Sequence, residues 1–228
     1  MPTSWHLLDS GPGSGAFNMA CDEVLLEAAP RLGQPLLRFY SWTEPAATFG
    51  YFQHYNTIAS LTSLRPLLRR PTGGGLVPHD RDWTYSLVVP AAHPWYDLKA
   101  PASYRQVHEW VRAAFASLGV PTALAPAPPP GRGEQCFVSP AEADVLWQAR
   151  KIAGAAQRRT RSGLLVQGSV QPPALTADRQ MWEAAMQRTA TARWGVGWVD
   201  WALTPELAER VRSTVRTKYG LAAYHQRR

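Results

Sequence analysis

Residues 144–170 read DVLWQARKIAGAAQRRTRSGLLVQGSV. Three runs within them, DVLWQ, KIAGAAQ and GLLVQGSV, have strand character. Ala149-Arg150 joins the first two and the polar turn RRTRSG joins the others, so the stretch reads as a three-stranded meander. Working outward, LLRFYSW (36–42), ATFGYF (47–52), RPLLRR (65–70) and WTYSLVVP (83–90) read as further strands, with Trp5 to Leu8 a short one. Phe17, Cys21, Val24, Leu25 and Ala28 recur at helical spacing, with Asn18, Asp22 and Glu23 mostly on other faces and Pro30 and Gly33 closing the helix. Ala102 to Leu118 predicts a second amphipathic helix, stopped by Gly119 and Pro121, and Asp178–Thr189 and Pro205–Tyr219 predict two more. Strands and helices do not alternate strictly. The pattern predicts an α+β fold with a mixed β-sheet rather than a doubly wound one.

The 228 residues suit one large domain, and a chain of this length buries roughly 70% of its unfolded surface without a metal or disulfide staple. A hydrophobic content of 45% with ten tryptophans excludes a disordered or fibrous chain. Two cysteines, Cys21 and Cys136, exclude a disulfide-rich scaffold. The longest uncharged stretch, Ala113 to Gly131, carries five prolines and cannot be a spanning helix. Asp9 sits where a signal peptide needs an apolar core, so the expectation is a mature, cytoplasmic sequence. The net charge is +7, which favours acidic partners, although a solvated basic face explains it equally. Of 24 basic residues only Lys99, Lys151 and Lys218 are lysines, the cations whose pKa responds to surroundings.

Three segments carry candidate chemistry. In RRPTGGGLVPHD (69–80), Gly73, Gly74 and Gly75 let the backbone approach a ligand closely, and Arg69 and Arg70 suit an anion. His79 and Asp80 follow; a flexible hairpin turn is the plain alternative. In RKIAGAAQRR (150–159), strict alternation puts Lys151, Ala153, Ala155 and Gln157 on one face and Ile152, Gly154 and Ala156 on the other. The small side chains leave room for a ligand, and Lys151 would stand at the rim; a solvated lysine is the alternative. In GEQCFVSP (133–140), Cys136 follows the proline-rich run APAPPPGRG (125–133), read as an exposed, extended loop. A thiol there is more accessible than Cys21, which lies on the apolar helical stripe and reads as packing. A half-buried side chain beside Phe137 is the alternative for Cys136.

Together these segments resemble the lipoate–protein ligase and octanoyltransferase family, which shares its catalytic domain with biotin–protein ligases. The likeness runs from LLDSGPGSGAFNMACDEVLLEA through LLRFYSWTEPAATFGYFQ and RRPTGGGLVPHDRDWTYSLVV to RKIAGAAQRR and LLVQGSV, roughly residues 5 to 172. It implies a single biotin/lipoate ligase-type catalytic domain over 1–228, a mixed sheet flanked by helices, with a helical C-terminal segment from about 175. It also implies a tunnel for an eight-carbon acyl chain. By the resemblance, Arg70, Gly73, Gly74, Gly75, His79 and Gly154 bind the substrate, and Lys151 faces the reacting carbonyl. No metal site is implied. CFVSP lies before RKIAG with Cys136 and Lys151 15 apart, as in the branch that forms an acyl-thioester on cysteine.

The implied activity is transfer of an octanoyl or lipoyl group from octanoyl-acyl-carrier protein to a lysine of a lipoyl domain or glycine cleavage H protein. It would pass through a Cys136 acyl-enzyme whose thiolate Lys151 favours, with no cofactor. Neither a membrane nor nucleic acid is expected as a partner. The first alternative is an ATP-dependent lipoate ligase, using ATP and Mg to make lipoyl-AMP, with Cys136 incidental. The second is a non-catalytic member binding acyl ligands or nucleic acid through its arginines. Two positions depart from the family: Gln167 stands where a histidine is usual, so an acid–base role there is lost, and Cys21 replaces a common leucine.

Overall fold

The computed structural model describes residues 3–127, 140–172 and 177–227. Among them, eight strands form one mixed sheet and three form a second. β1 (Thr3–Gly13) lies parallel to both β2 (Leu36–Trp42) and β11 (Val196–Asp200). β2 then pairs antiparallel with β6 (Trp83–Pro90), which pairs with β10 (Gly163–Val170). β10, β9 (Arg150–Thr160) and β8 (Val145–Trp147) form the meander read from residues 144–170, and β7 (Ala123–Leu124) closes that edge. The small sheet has β3 (Ala46–Phe49) between β4 (Leu67–Arg69) and β5 (Val77–His79).

Period-two alternation gives the large sheet two buried faces. Leu87, Val89, Leu164 and Val166 point to one face, against α4 (Ala100–Ser117) and α5 (Arg179–Trp194). Val88 and Leu165 point to the other, against α1 (Gly15–Leu32). Trp5 anchors the first face, with the rings of Trp95, Trp110, Trp194 and Trp198 all within 6.1 Å of its own. Short helices α2 (Tyr55–Ala59) and α3 (Pro94–Asp97) sit in connections.

Helix ends follow the local chemistry. Ser14 caps α1 by accepting from the Phe17 N–H at 3.3 Å, and Gly33 ends it with φ 69°. Pro30 lies inside the last turn of α1 rather than closing it. The segment after 177, expected to be helical, also supplies β11, because Val196 to Asp200 find an open parallel edge on β1. Beyond it, α6 (Pro205–Thr214) and a π-helical turn over Val215–Tyr219 pack on α1. Lys218 pairs there with Glu23 at 2.6 Å, so that lysine is a strut between elements. α7 (Ala222–Gln226) reaches β4, where His225 Nδ1 accepts from the Arg69 backbone N–H at 3.0 Å. Among the described residues no helix is long and apolar enough to cross a membrane.

Candidate functional site

The site begins with two cross-strand rows on the α1 face of the large sheet. Register places Arg38, Ser86, Gln167 and Ala156 side by side on β2, β6, β10 and β9; the next row is Tyr40, Thr84, Ser169 and Gly154. On the other side of the first row, Leu36, Val88 and Leu165 are apolar and lie under α1. The two polar rows end on β9 in alanine and glycine, so the floor is open at that end. Against it lean the small sheet and the glycine loop, enclosing a cavity of about 510 Å³. That volume falls within the range of small-molecule sites, roughly 300–1,000 Å³. Arg70, Gly74, Gly75, His79, Lys151 and Gly154 all line it, together with Met19, Tyr40, Thr48, Gln167 and Ala141. Gly73 is not among the lining residues, and a Cβ there would meet open space. Cys136 and most of the proline-rich run lie outside the described residues.

The glycine-loop wall is tightly determined. Gly50 touches Gly74 so closely that a Cβ on it would overlap the Gly74 carbonyl oxygen. Gly74 has φ +83°, and a Cβ there would come within 2.7 Å of an Arg70 Nη. Arg70 is buried and its partners are neutral: Nε donates to Thr72 Oγ1 at 3.2 Å, one Nη to Thr48 Oγ1 at 3.3 Å, the other to the Gly73 carbonyl. Burial pulls its pKa down to about 10. A buried guanidinium with no acidic partner among the described residues suits an anionic or strongly polarised ligand group. Arg69 does not share that function. It is buried and donates to the carbonyls of Tyr51, Gln53 and His225, fastening β4 to the C-terminal helix.

His79 is held on both ring nitrogens: Nε2 bonds Thr48 Oγ1 and Nδ1 bonds Asp82 Oδ2, each at 2.8 Å. Its ring stacks on Trp42, centroids 3.9 Å apart. Such a histidine is fixed in the wall rather than free to swing.

The lysine wall is built differently. Leu146 pairs with Lys151 and Val145 with Ala153, so Ile152 is an extra residue, a β-bulge. The bulge resets the alternation. Lys151 therefore lies on the same side as Gly154, whose added Cβ would lie 2.8 Å from Lys151 Cε. Ala153 and Ala155 also border the cavity, while Gln157 faces α4, its Oε1 accepting from Ser103 Oγ at 2.9 Å. Lys151 Nζ pairs with Asp144 Oδ2 at 2.7 Å; the lysine side chain is 48% exposed and the aspartate fully buried. Asp144 also accepts from Tyr104 OH at 2.5 Å and from the Ala141 N–H at 2.7 Å. Tyr104 packs against His108, ring centroids 4.1 Å apart and planes tilted by 51°, and burial lowers the His108 pKa to about 4.

The sequence reading missed Asp144, Tyr104, Thr72 and Asp22. Asp144 reads only as the first residue of a strand, and Tyr104 only as part of the second amphipathic helix. Asn18 and Asp22, read as lying mostly off the buried stripe, are fully buried, because α1 sets them down on Arg38. Cys21 packs in the core as expected, its thiol pushed up to about 11 by burial. Among the described residues no group of three or more His, Cys, Asp or Glu side chains is placed to hold a metal.

Residues 14–172 match the lipoyl protein ligase A/B catalytic domain. The chain belongs to that family. An Octanoyltransferase LipM from Kyrpidia tusciae is 37% identical over 180 residues, 73% of this chain and 65% of its own length. The Octanoyltransferase LipM of Bacillus subtilis is 33% identical over the same 73% and 65%. The chain thus spans just under two thirds of the relatives it matches. Among solved structures, protein Ta0514 of T. acidophilum superposes with a TM-score of 0.82 at 20% identity, covering all of both chains. A chain from the structural analysis of an archaeal lipoylation system, a bi-partite lipoate protein ligase and its E2 lipoyl domain from Thermoplasma acidophilum, gives 0.72 at 19% identity over 99% and 96% of the two chains. These likenesses establish the lipoate ligase-type α+β fold.

Proposed function

We propose that the protein is an acyltransferase of protein lipoylation, moving an octanoyl or lipoyl group between protein carriers by way of a Cys136 thioester. The observation that carries this reading is the cavity: a floor of glycine and alanine, a buried Arg70 in one wall, and the Lys151 ammonium at the rim. The relatives named octanoyltransferases support the same choice over a ligase. Cys136 precedes Ala141, a residue of the cavity wall, by five positions, so at most about 18 Å of extended chain separates them.

In the first half-reaction, the Cys136 thiolate attacks the carbonyl of an octanoyl thioester on acyl-carrier protein. A new S–C bond forms, the old one breaks, and the carrier's sulfur leaves and takes a proton. In the second, the amine of a lysine on a lipoyl domain or glycine cleavage H protein attacks the acyl-enzyme carbonyl, loses its proton and releases the Cys136 thiolate. The Lys151 ammonium stabilises the thiolate and the oxyanion of each tetrahedral intermediate. Small side chains at Gly154 and Ala156 let the acyl chain lie against backbone. The net charge of +7 suits acidic carrier and acceptor domains, whose encounter it would speed.

Incubation with octanoyl-acyl-carrier protein followed by intact mass spectrometry tests the reading. The expected result is an octanoyl adduct that is absent in Cys136→Ser. Lipoylation of an acceptor by Cys136→Ser that requires ATP would overturn it in favour of the ligase reaction.

A further inference from the structure

We propose that Asp22, Gln167 and Thr72 are positioning residues for the cavity: a one-directional hydrogen-bond chain that sets Arg70 and the glycine loop. This inference rests on the cavity being the acyl site.

The chain starts at the buried ion pair between Arg38 and Asp22, 2.7 Å from Nη1 to Oδ1. A carboxylate paired with a guanidinium offers only lone pairs. Asp22 Oδ2 lies 2.7 Å from Gln167 Nε2, and Oδ1 also accepts from Ser86 Oγ at 2.7 Å. The Gln167 amide can therefore stand one way round, NH₂ toward Asp22, because the flipped form would set oxygen against oxygen. Its Oε1 then faces Thr72 Oγ1 at 2.7 Å, and Thr72 must donate. Having given its hydrogen, the Thr72 oxygen is left to accept from Arg70 Nε. The polarity runs Arg70 to Thr72 to Gln167 to Asp22, with no step reversible unless the ion pair breaks.

The loop end of the chain is also the ligand end. Thr72 precedes the glycine triplet, its carbonyl accepts from the Tyr51 N–H at 2.9 Å, and Arg70 bonds the Gly73 carbonyl. Both Gln167 and Arg70 line the cavity. An amide at position 167 is thus no proton shuttle; it transmits orientation from the sheet floor to the loop.

Three substitutions test this. Thr72→Val keeps the shape and removes the hydroxyl, whereas Thr72→Ser keeps the hydroxyl. The expected result is an acyl-transfer kcat/KM about ten-fold lower in Thr72→Val, with Thr72→Ser within about two-fold of the parent. Gln167→Glu reproduces the polarity only when protonated, its O–H donating to Asp22 and its C=O accepting from Thr72. Burial beside Asp22 raises the pKa of a carboxyl there, so transfer by Gln167→Glu should fall as pH rises, relative to the parent profile.

Solvent exchange of the Arg70 Nε–H, followed by ¹⁵N NMR, reads the chain without any enzyme assay. Exchange should quicken in Thr72→Val and not in Thr72→Ser. Equal exchange and equal kcat/KM in the two threonine variants, with an active parent, would overturn the proposal. A parent inactive in transfer would remove the functional reading instead, and the exchange contrast alone would then decide whether the chain exists.

Discussion

On the glycine-loop side of the cavity, Thr72, Arg70 and His79 are buried and their positions are fixed by short hydrogen bonds to neutral or acidic neighbours. On the opposite side, Lys151 is half exposed, and one buried carboxylate holds both its ammonium and the N–H of Ala141. The first wall is buried and close-packed, so its substitutions should be felt first as changes of shape. The second keeps an ammonium accessible to incoming groups, so its substitutions should be felt first in rate. A site that accepts a long apolar chain and then reacts at its end needs both kinds of wall.

The sharpest way to break this contrast is Lys151→Met. On the proposed role of its ammonium in stabilising developing negative charge, the loss should slow acyl transfer by about a hundred- to a thousand-fold, roughly 3–4 kcal/mol. Urea unfolding should become easier as well, because the fully buried Asp144 loses its cationic partner, so rates are compared in protein shown to be folded. A single-turnover rate within three-fold of the parent would make the lysine wall as structural as the other.

Next in size is the acid sensitivity that His108 brings to the lysine wall. Its pKa is lowered to about 4, chiefly by burial, so the unfolded chain binds the proton more tightly. The stabilisation this gives is whole above the unfolded pKa of about 6.5 and is lost as pH falls through 6.5 toward 4. Its loss between pH 7 and pH 4.5 should be about 2–3 kcal/mol. Urea midpoints at the two pH values should show a smaller difference in His108→Phe, whose ring keeps an aromatic contact with Tyr104; an unchanged difference would reject the assignment.

The glycine wall is tested within its own triplet. Gly74→Ala meets both a positive φ and the Arg70 guanidinium, and should cost about 2 kcal/mol by overpacking and strain. Gly73→Ala meets open space and should stay within about 0.5 kcal/mol. Thermal melts of the two variants compare them directly, and equal losses would show that the wall is not shaped as described. The smallest expected effect is at Cys21. With its thiol buried and raised to about 11, it should resist iodoacetamide at pH 7.5 in native Cys136→Ser protein and react once unfolded. Labelling of the native variant would place Cys21 outside the core.

Much of this was legible in the chain. The meander over residues 144–170 and helices α1, α4, α5 and α6 announce themselves by period, and the glycine triplet announces a close backbone approach. The face of Lys151 was not legible. Strict alternation assigns it to the α4 side, and only the unpaired Ile152 moves it to the cavity. Asp22 was equally hidden, because its burial makes sense only once Arg38, Ser86 and Gln167 lie in one row beneath it.

What the sequence by itself determined is local: which segments are strands or helices, that Gly33 ends one of them, and which loop has no side chains to keep a ligand away. Hydrophobic period and backbone permissiveness act over a few residues and can be read one segment at a time. What only the tertiary structure decided is which polar groups meet. The pairs Asp22–Arg38, Asp144–Lys151 and Gln167–Thr72 join different elements, the first and last across 16 and 95 positions. Such pairs exist because burial makes an unmatched polar group costly, and burial is a property of the assembled sheet and helices rather than of any one of them.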